Sequence, residues 1–385
     1  MKTTQLHYQS GKWINIPTKK EANPLKAQLV LVFGAGIVVG DAQVYDYVKN
    51  YFPHADIISC STSGEILADN VYDDTAVVTA IQLEKSSVKA VLQKVSSGVN
   101  SYETGKSIMQ QLEAENLASI LVLSEGSFIN GSELVNGLNE LNTKQVPITG
   151  GLAGDAARFE RTQVGLNAPA TEGNVVAIGF YGNEVKIGHS SFGGWDEFGK
   201  ERIITKSDKN VLYEIDGETA LDLYKQYLGP YVNELPGSAL LFPLSMRLDD
   251  SGKNLVRTIL TIDEDKKTMT FAGNLPEGAR VRLMKANFEK IIEGSSIAAA
   301  KSVETGQKQF PELAILISCV GRKLILQDRT SEEVQAARNI FGDTTSITGF
   351  YSYGEISPFN PHTNCELHNQ TMTITTFSEV QSDTL

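Results

Sequence analysis

The sequence predicts an α/β fold built as two related halves of βαβ modules with additional antiparallel strands. Two observations carry this prediction. Three stretches each contain an apolar strand, an amphipathic helix and a second strand that runs into a glycine followed by an acid. Strand–helix–strand units of about 30 residues are βαβ modules, whose crossovers are right-handed. The segments between these stretches alternate polar and apolar residues, as antiparallel strands do.

The first module begins with a continuous apolar run at residues 29–33, which is typical of a buried parallel strand. Asp41 is predicted to cap the following helix, and residues 57–58 form the next strand. That strand runs into the polar turn S-T-S-G-E at residues 61–65. The polar residues 1–25 that precede the module are predicted to be a loose lead-in.

The same order recurs twice further along the chain. The strands and their closing pairs are residues 120–123, 146–149 and Gly154-Asp155 in the second module, and residues 313–317, 347–350 and Gly354-Glu355 in the third. Three Gly-acid pairs at equivalent places indicate that the modules are related.

The segments outside the modules are predicted to be antiparallel strands and one further helix. The strand segments are residues 74–95, a hairpin at 174–192 around Gly182-Asn183, residues 255–262 and 268–273, and residues 280–285. Asn287 is predicted to cap the helix that follows. A domain boundary is expected in the polar segment around residues 206–208, which divides the chain into domains 26–207 and 208–385.

Composition excludes several classes of protein. The formal net charge of −12 argues against an extended phosphate-binding surface, so no nucleic-acid partner is expected. The three cysteines lack C-x-x-C spacing, so a disulfide framework or a structural zinc site is not expected. The chain has neither an apolar leader at its start nor an apolar run of about 18 residues. A cytoplasmic protein without a membrane segment is therefore predicted.

The stretch richest in chemical groups lies near the end of the chain. A predicted buried strand at residues 347–350 is followed at once by Tyr351, Ser352, Tyr353, Gly354 and Glu355. α/β proteins commonly place ligands where a strand ends in a polar, glycine-containing turn. The alternative interpretation is a tight turn with two half-buried tyrosines, and spacing alone does not separate the two.

A ligand site can be assembled from this stretch and the other strand ends. Glu65, Asp155 and Glu355 could converge as acceptors, and Arg322 is a fixed cation just after a strand. A zwitterionic amino acid needs such an acid for its ammonium group and a guanidinium for its carboxylate. Tyr351 and Tyr353 would form the walls, and Gly354 and Asn369 complete the predicted ligand-binding set. The alternative is that the acids satisfy turn amides, which we favour for Asp155.

An enzyme would need a nucleophile. Cys60 or Cys319, both at apparent strand ends, could serve a hydrolase or transferase. However, the sequence has no G-x-S-x-G motif and no phosphate-binding G-K-[ST] loop. A cysteine beside an apolar strand usually packs in the core. The sequence therefore favours a protein that is not an enzyme.

Several motifs, taken in order, resemble the FIST family (F-box and intracellular signal transduction). They are C-S-T-S-G-E-I (60–66), G-G-L-A-G-D (150–155), G-H-S-S-F-G-G-W (188–195), P-E-G-A-R-V-R-L-M (276–284), S-C-V-G-R (318–322), G-F-Y-S-Y-G-E-I (349–356) and L-H-N-Q-T-M-T (367–373). The resemblance covers roughly residues 25 to 378. It implies a sensor that binds a small ligand and acts on a separate signalling partner, such as a histidine kinase, with a homodimer as one possible assembly.

The resemblance also gives two of the five histidines a role to test. Some stand-alone FIST proteins bind haem, sense nitric oxide and control a histidine kinase. Haem b held without covalent bonds would need an axial ligand, because C-x-x-C-H is absent. His189, within a predicted strand, is the first candidate, with Phe192 and Trp195 packed on the porphyrin. His368, expected to open the last strand, is the second, although a lone strand histidine is usually structural.

Overall fold

The computed structural model describes residues 1–95, 100–235, 237–247, 254–306 and 310–380. Its body consists of three six-stranded mixed sheets that face one shared apolar interior. Rings from different sheets meet there, with centroids 4.8 Å apart both for Phe33 and Phe350 and for Phe180 and Phe377. The outer face of each sheet is covered by helices, which gives each sheet a second apolar layer.

Three consecutive units of the chain build this body. Unit one contains β1 (Lys2–Gln9), β2 (Lys12–Ile16), β3 (Leu29–Gly34), α1 (Gly36–Val39), α2 (Ala42–Tyr51), β4 (Asp56–Ser61), β5 (Glu65–Leu67), β6 (Asn70–Tyr72) and β7 (Ala76–Gln82). Unit two contains β8 (Ser87–Lys94), α3 (Ser101–Leu112), β9 (Leu117–Ser124), α4 (Gly131–Leu141), β10 (Ile148–Leu152), β11 (Val164–Leu166) and β12 (Asn174–Tyr181).

Unit three is interrupted by an inserted sheet after its first strand. It begins with β13 (Val185–Phe192). The insert then contains β14 (Asp196–Asp208), β15 (Val211–Ile215), β16 (Glu218–Thr219), α5 (Ala220–Leu228), β17 (Leu244–Arg247), β18 (Leu255–Arg257), β19 (Ile259–Asp263), β20 (Thr268–Phe271) and β21 (Arg280–Lys285). Unit three resumes with α6 (Phe288–Gly306), β22 (Leu313–Cys319), α7 (Val320–Leu326), α8 (Thr330–Phe341), β23 (Ser346–Ser352), β24 (Gly354–Pro358), β25 (Cys365–His368) and β26 (Met372–Glu379).

The three units share one topology. In each, the predicted βαβ module forms a parallel strand pair: β3 with β4, β9 with β10, and β22 with β23. The first strand of that pair has an antiparallel neighbour, which is β7, β12 or β26. The next strand in the sheet, which is β1, β8 or β13, is antiparallel to this neighbour. The predicted α/β class is confirmed, and the repeat occurs three times along the chain.

The units exchange strands in a closed cycle. β5 of unit one pairs with β23 of unit three, β24 of unit three pairs with β10 of unit two, and β11 of unit two pairs with β4 of unit one. Each unit therefore completes the sheet of the next, and each of the three body sheets contains strands from two units.

The predicted loose lead-in at residues 1–25 is wrong, because β1 is an inner strand of the first sheet and pairs with both β2 and β7. The Thr3 and Gln5 side chains are buried and find partners in another strand. The Thr3 hydroxyl lies 2.7 Å from the Ser346 hydroxyl, and Gln5 Nε2 donates to the Ile347 carbonyl at 3.0 Å.

The predicted hairpin at residues 174–192 is also wrong. Both strands exist, but β12 already has β8 and β9 as neighbours, and β13 pairs with β26 in another sheet. Gly182, with φ +126°, lies where the chain crosses between the two sheets. Local sequence predicted the turn correctly and could not show that its two strands separate.

The insert has its own apolar core, and its two ends are adjacent. Asp196 of β14 is the register partner of Lys285 of β21. The predicted boundary around residues 206–208 falls at the end of β14, between strands of this one sheet. The predicted cap is confirmed, since Asn287 Oδ1 accepts the Lys290 amide at 3.3 Å at the start of α6.

Candidate functional site

The three segments that leave β4, β10 and β23 meet at one end of the body, which we name the junction end. The Ser63 amide donates to the Tyr351 carbonyl at 2.8 Å, and the Gly154 amide donates to the Ser61 carbonyl at 2.9 Å. The Tyr353 amide closes the cycle on the Leu152 carbonyl at 3.2 Å. These are the carboxyl ends of parallel strands, the place where open α/β sheets bind ligands.

Glu65 and Glu355 are buried at this end. Glu65 Oε1 accepts the Thr62 hydroxyl at 2.5 Å, and its Oε2 accepts the Thr75 hydroxyl at 2.7 Å and the Thr75 amide at 3.2 Å. Burial raises the pKa of Glu65 to about 7 and that of Glu355 to about 8, although these hydrogen bonds oppose the rise. Glu355 accepts the Ser352 hydroxyl at 2.7 Å and the Thr371 hydroxyl at 3.0 Å, so both acids bind the protein's own donors.

Unit two lacks this arrangement. The backbone bonds of the junction align Gly154 with Ser63 and Tyr353, which places Ala156, not Asp155, in register with the two glutamates. Asp155 instead accepts the Arg161 amide at 3.1 Å and pairs with Arg158. This is the turn-satisfying role that the sequence analysis favours for Asp155.

Arg322 is fully buried and has internal partners. Its Nε and Nη2 donate to Glu333 Oε2 at 2.9 and 2.6 Å, and its other bonds reach the carbonyls of Gly193 and Ile291. Glu333 Oε1 in turn accepts the Tyr351 hydroxyl at 2.7 Å. A ligand carboxylate could reach this guanidinium only by displacing one of these partners.

The two tyrosines of the closing stretch lie in different environments. Tyr351 is fully buried in the apolar layer between the third sheet and its helices. Tyr353 is half-buried, stacks on Phe159 with ring centroids 4.5 Å apart, and accepts the Phe159 amide at 3.0 Å. Only Tyr353 reaches an open cleft, while Gly354 packs below it against Leu152 and Leu367.

That cleft, which we name the aromatic cleft, has a volume of about 300 Å³. Its floor is the segment between β9 and α4, one wall is Tyr353 with Phe159, and the facing wall comes from the inserted sheet. The lining includes Ser127, Phe128, Asn130, Asn210, Leu260 and Phe271. The cleft thus joins unit two, unit three and the insert, at the carboxyl end of β9 and β10.

Hydrogen bonds from Asn274 fix the insert against the start of α4. Its Nδ2 donates to Glu133 Oε1 at 2.7 Å, its Oδ1 accepts Asn130 Nδ2 at 2.9 Å, and its amide donates to the Ser132 hydroxyl at 3.1 Å. The geometry of the cleft therefore depends on how the insert docks on unit two.

Asn369 and His368 lie beside the insert and are buried. Asn369 Oδ1 accepts the Thr258 amide at 3.4 Å, and His368 Nε2 bonds to the Ser357 carbonyl at 2.9 Å. His368 ends β25 and does not open the last strand, which corrects the sequence-based expectation. Burial lowers its pKa to about 4.

His189 lies within β13 as predicted, and burial lowers its pKa to about 4. Its Nδ1 has no hydrogen-bond partner among the described residues. His189 and Phe192 are three residues apart on a strand, so they face opposite sides of the sheet. Phe192 packs against α6 at Gly294, and Trp195 Nε1 donates to the Gln370 carbonyl on that same side. The predicted packing of these rings on a haem bound to His189 is therefore wrong.

The donor set does not fit a haem at either histidine. His189 and His368 are 5% and 3% exposed, and neither lines the aromatic cleft. Of the two His368 ring nitrogens, Nε2 is already bonded to the Ser357 carbonyl. Within the described ranges, no group of three or more His, Cys, Asp or Glu side chains is arranged to hold a metal ion.

The candidate nucleophiles are buried thiols. Cys60 points into the shared interior and Cys319 is 4% exposed. Burial raises the pKa of both thiols, and in the part of the chain that the structure describes no histidine is hydrogen-bonded to either. The geometry offers no activated nucleophile at these two positions.

Among the described helices, none has the length and apolar character needed to cross a bilayer.

Most of the aromatic cleft cannot be recognised from the sequence. Phe159, Asn130 and the insert residues Asn210 and Phe271 line it, yet they lie far from one another along the chain. Phe159 is 46% exposed in a polar turn, and an exposed aromatic residue is the one local signal that marks such a site. The remaining residues are brought together by topology.

Comparison with known proteins gives two family matches and one relative. Residues 28–218 match the FIST N domain and residues 220–358 match the FIST C domain. An uncharacterized protein of Methanocaldococcus jannaschii is 24% identical over 344 residues, which is 81% of this chain. The chain spans 64% of the length of that relative.

Proposed function

The chain belongs to the FIST family, whose domains are associated with sensing in signal transduction, and we propose that it is a sensor that binds a small neutral molecule in the aromatic cleft. The observation that carries the proposal is the lining of this cleft. It is open, lies at the carboxyl ends of two parallel strands, and is walled by three separate parts of the chain.

The chemistry of the lining selects the ligand class. Among the described residues, no charged side chain lines the cleft, and the polar groups are the side chains of Ser127, Asn130 and Asn210 and the hydroxyl of Tyr353. Apolar and aromatic walls with a few orienting amides are the usual lining of small-molecule sites. A molecule with a planar apolar body and one or two hydrogen-bonding groups matches this lining. A zwitterionic amino acid would find no counter-charge here.

The position of the cleft provides a route for output. A ligand held between Tyr353 and the inserted sheet contacts both walls, so it stabilises the docked arrangement relative to any arrangement that separates them. The signal would pass to a separate signalling protein, such as a histidine kinase, that recognises the docked insert. Sensing by this route requires that the ligand bind the docked arrangement more tightly than a separated one, and it needs no covalent step.

The test measures binding of three probes to the purified chain by calorimetry and by thermal shift. Indole represents a neutral aromatic ligand, L-phenylalanine a zwitterion with the same type of ring, and haemin the haem alternative. We expect saturable binding of indole and at least tenfold weaker binding of the other two. Phe159→Leu should weaken indole binding, because the aromatic wall is lost.

Phe288→Leu is the matched control, since Phe288 is 44% exposed, close to the 46% of Phe159, and does not line the cleft. Equal indole affinity in parent, Phe159→Leu and Phe288→Leu would show that the molecule binds elsewhere. Haemin uptake with a Soret band lost in His189→Ala would replace the neutral-ligand proposal with the haem alternative.

A further inference from the structure

We propose that a second cleft, lined by Arg257, binds the oxyanion of a small organic acid or phosphate ester. This cleft, which we name the arginine cleft, has a volume of about 520 Å³ and lies between α4 and the inserted sheet. Asn274 lines it and separates it from the aromatic cleft through its bonds to the start of α4. The proposal goes beyond the sensing function and does not depend on it.

Arg257 is 3% exposed, yet its side chain lines this cleft. Its Nε donates to the Asn274 carbonyl at 3.0 Å, and its Nη1 donates to the carbonyls of Val256 and Leu367 at 3.2 and 2.9 Å. Three backbone carbonyls thus accept hydrogen bonds from two of its three nitrogens. Among the described residues, none accepts a hydrogen bond from Nη2.

The charge of Arg257 also lacks a direct partner. Within the described ranges, no carboxylate lies within 4.0 Å of this guanidinium, whereas the other fully buried arginine, Arg322, is paired with Glu333. A buried charge without a counter-ion is costly. Burial lowers the pKa of Arg257 to about 10, so the side chain is still cationic at neutral pH. Glu366 acts on this guanidinium only through its charge and makes no ion pair with it, so an anion at Nη2 would supply a direct partner.

Neighbouring groups complete a donor set. A Cβ on Gly273 would lie 3.0 Å from Arg257 Nε and 3.3 Å from Ser132 Oγ, so the guanidinium and this hydroxyl flank the same glycine. Ser132 Oγ accepts the Asn274 amide, which leaves its own proton to donate. Lys209 is exposed at the edge of the cleft and adds a second cation.

The rest of the lining restricts the ligand further. Asp208, Glu277 and Glu366 also line the cleft, so its outer part carries acids while its buried part carries Arg257. An anion that also bears hydroxyl or amino donors would place its oxyanion at Arg257 and its donors toward Asp208 and Glu277. A polyanion would be repelled by the acids, so the inferred ligand has one oxyanion group and at least one donor.

The experiment titrates the full chain at pH 7 with inorganic phosphate, with glycolate as a hydroxy acid, and with glycerol as a neutral polyol. We expect saturable binding of phosphate or glycolate and none of glycerol, and the two anions separate phosphate from carboxylate recognition. Arg257→Gln should abolish this binding. Lys209→Gln should weaken it several-fold, whereas Lys12→Gln, an exposed charge on β2, should leave it unchanged.

The proposal is overturned if the parent binds neither anion saturably, or if Arg257→Gln binds as the parent does. Because Arg257 is buried, a variant that fails to fold would not test the proposal, and a second measurement on the parent then decides. The ¹⁵N–¹H signal of Arg257 Nε should shift on addition of the bound anion. Saturable binding without a shift would place the anion elsewhere.

Discussion

Glu65 and Glu355 occupy the same position in units one and three and are held by the same set of donors. Each accepts a hydroxyl from the residue three positions earlier, and each accepts both the amide and the hydroxyl of a threonine, Thr75 or Thr371. The two threonines are themselves equivalent, since their carbonyls accept the amides of Ala35 and Cys319, directly after β3 and at the end of β22. A repeated structural role explains both acids without a ligand.

These acids predict how stability depends on pH. Both carboxyls titrate near 4.5 in the unfolded chain, and burial raises their pKa to about 7 and about 8 in the folded chain. Between pH 4.5 and the raised pKa of each group, the folded state keeps a proton that the unfolded state has released. The free energy of unfolding should therefore fall as pH rises, by up to roughly 1.4 kcal/mol per pH unit for each group, and level off above pH 8.

His189 and His368 act in the opposite direction below pH 6.5, because burial lowers their pKa to about 4. The fall in the free energy of unfolding should therefore be clearest between pH 6.5 and 8. Urea unfolding over this range should give a smaller decline for Glu355→Gln than for the parent. Glu218→Gln, on an exposed side chain, is the control. A decline that persists unchanged in Glu355→Gln would show that another group is responsible.

A substitution of Arg322 distinguishes a structural role of this side chain from the predicted role in ligand binding. Arg322→Met leaves Glu333 buried without its partner, and breaking a buried ion pair from one side costs about 3–5 kcal/mol. We expect this loss in urea unfolding without ligand, together with normal indole binding in the fraction that stays folded. Unchanged stability combined with lost binding of an amino acid would restore the ligand role.

Gly64 and Gly354 precede the two equivalent acids and need glycine for different reasons. Gly64 has φ +135°, so Gly64→Ala should cost about 1–3 kcal/mol in strain. Gly354 does not have positive φ, and a Cβ there would lie 3.1 and 3.2 Å from methyl groups of Leu367 and Leu152. Gly354→Ala should therefore cost less than Gly64→Ala, and Gly354→Val more than Gly354→Ala. The reverse order in thermal unfolding would contradict this assignment.

The insert should be removable. A Cβ on Gly194 would lie 2.1 Å from the Lys290 carbonyl oxygen, so the chain leaves and re-enters the body at adjacent points. Replacing residues 196–285 with a short glycine-serine linker should leave a body that unfolds cooperatively, with reduced stability because Trp195 loses its packing near Leu241. Binding at both clefts should disappear. A product without a cooperative transition would show that the insert is required for folding.

Cys60 and Cys319 should react slowly with a thiol reagent at neutral pH and rapidly in urea, because burial raises their pKa and excludes the reagent. Ellman's reagent, with mass spectrometry to locate each label, measures this directly. Fast stoichiometric labelling of either residue in the folded chain would support the alternative of a hydrolase or transferase.

Much of the fold could be predicted from the sequence because its βαβ modules are local. The apolar run at β3, the cap at Asp41 and the spacing to the Gly-acid pair are each visible within about 30 residues. Pairing between distant strands is not visible in this way. The sequence predicts a loose lead-in where β1 forms. The strand cannot be recognised locally, because the partners of its Thr3 hydroxyl and Gln5 amide lie more than 300 positions away.

The sequence predicts where the candidate site lies better than it predicts which side chains line it. The junction end does contain Glu65, Tyr351, Tyr353, Gly354 and Glu355, since strand ends converge in α/β sheets. Which of these side chains reach solvent depends on neighbours that sequence does not show. Tyr353 lines the cleft because Phe159 of unit two lies beneath its ring, whereas Arg322 is buried because α8 supplies Glu333.

The cyclic exchange of strands has a consequence for how the chain is made. Residues 65–67 form β5, whose partner on one side is residues 348–350 of β23. While the ribosome is still synthesising the middle of the chain, unit one carries a strand with one unpaired edge and a first sheet that lacks β11. Native structure must therefore form late and through contacts of high sequence separation, which slows folding and exposes strand edges. We expect this chain to depend on chaperones during synthesis more than proteins of the same length whose sheets are each completed by consecutive residues.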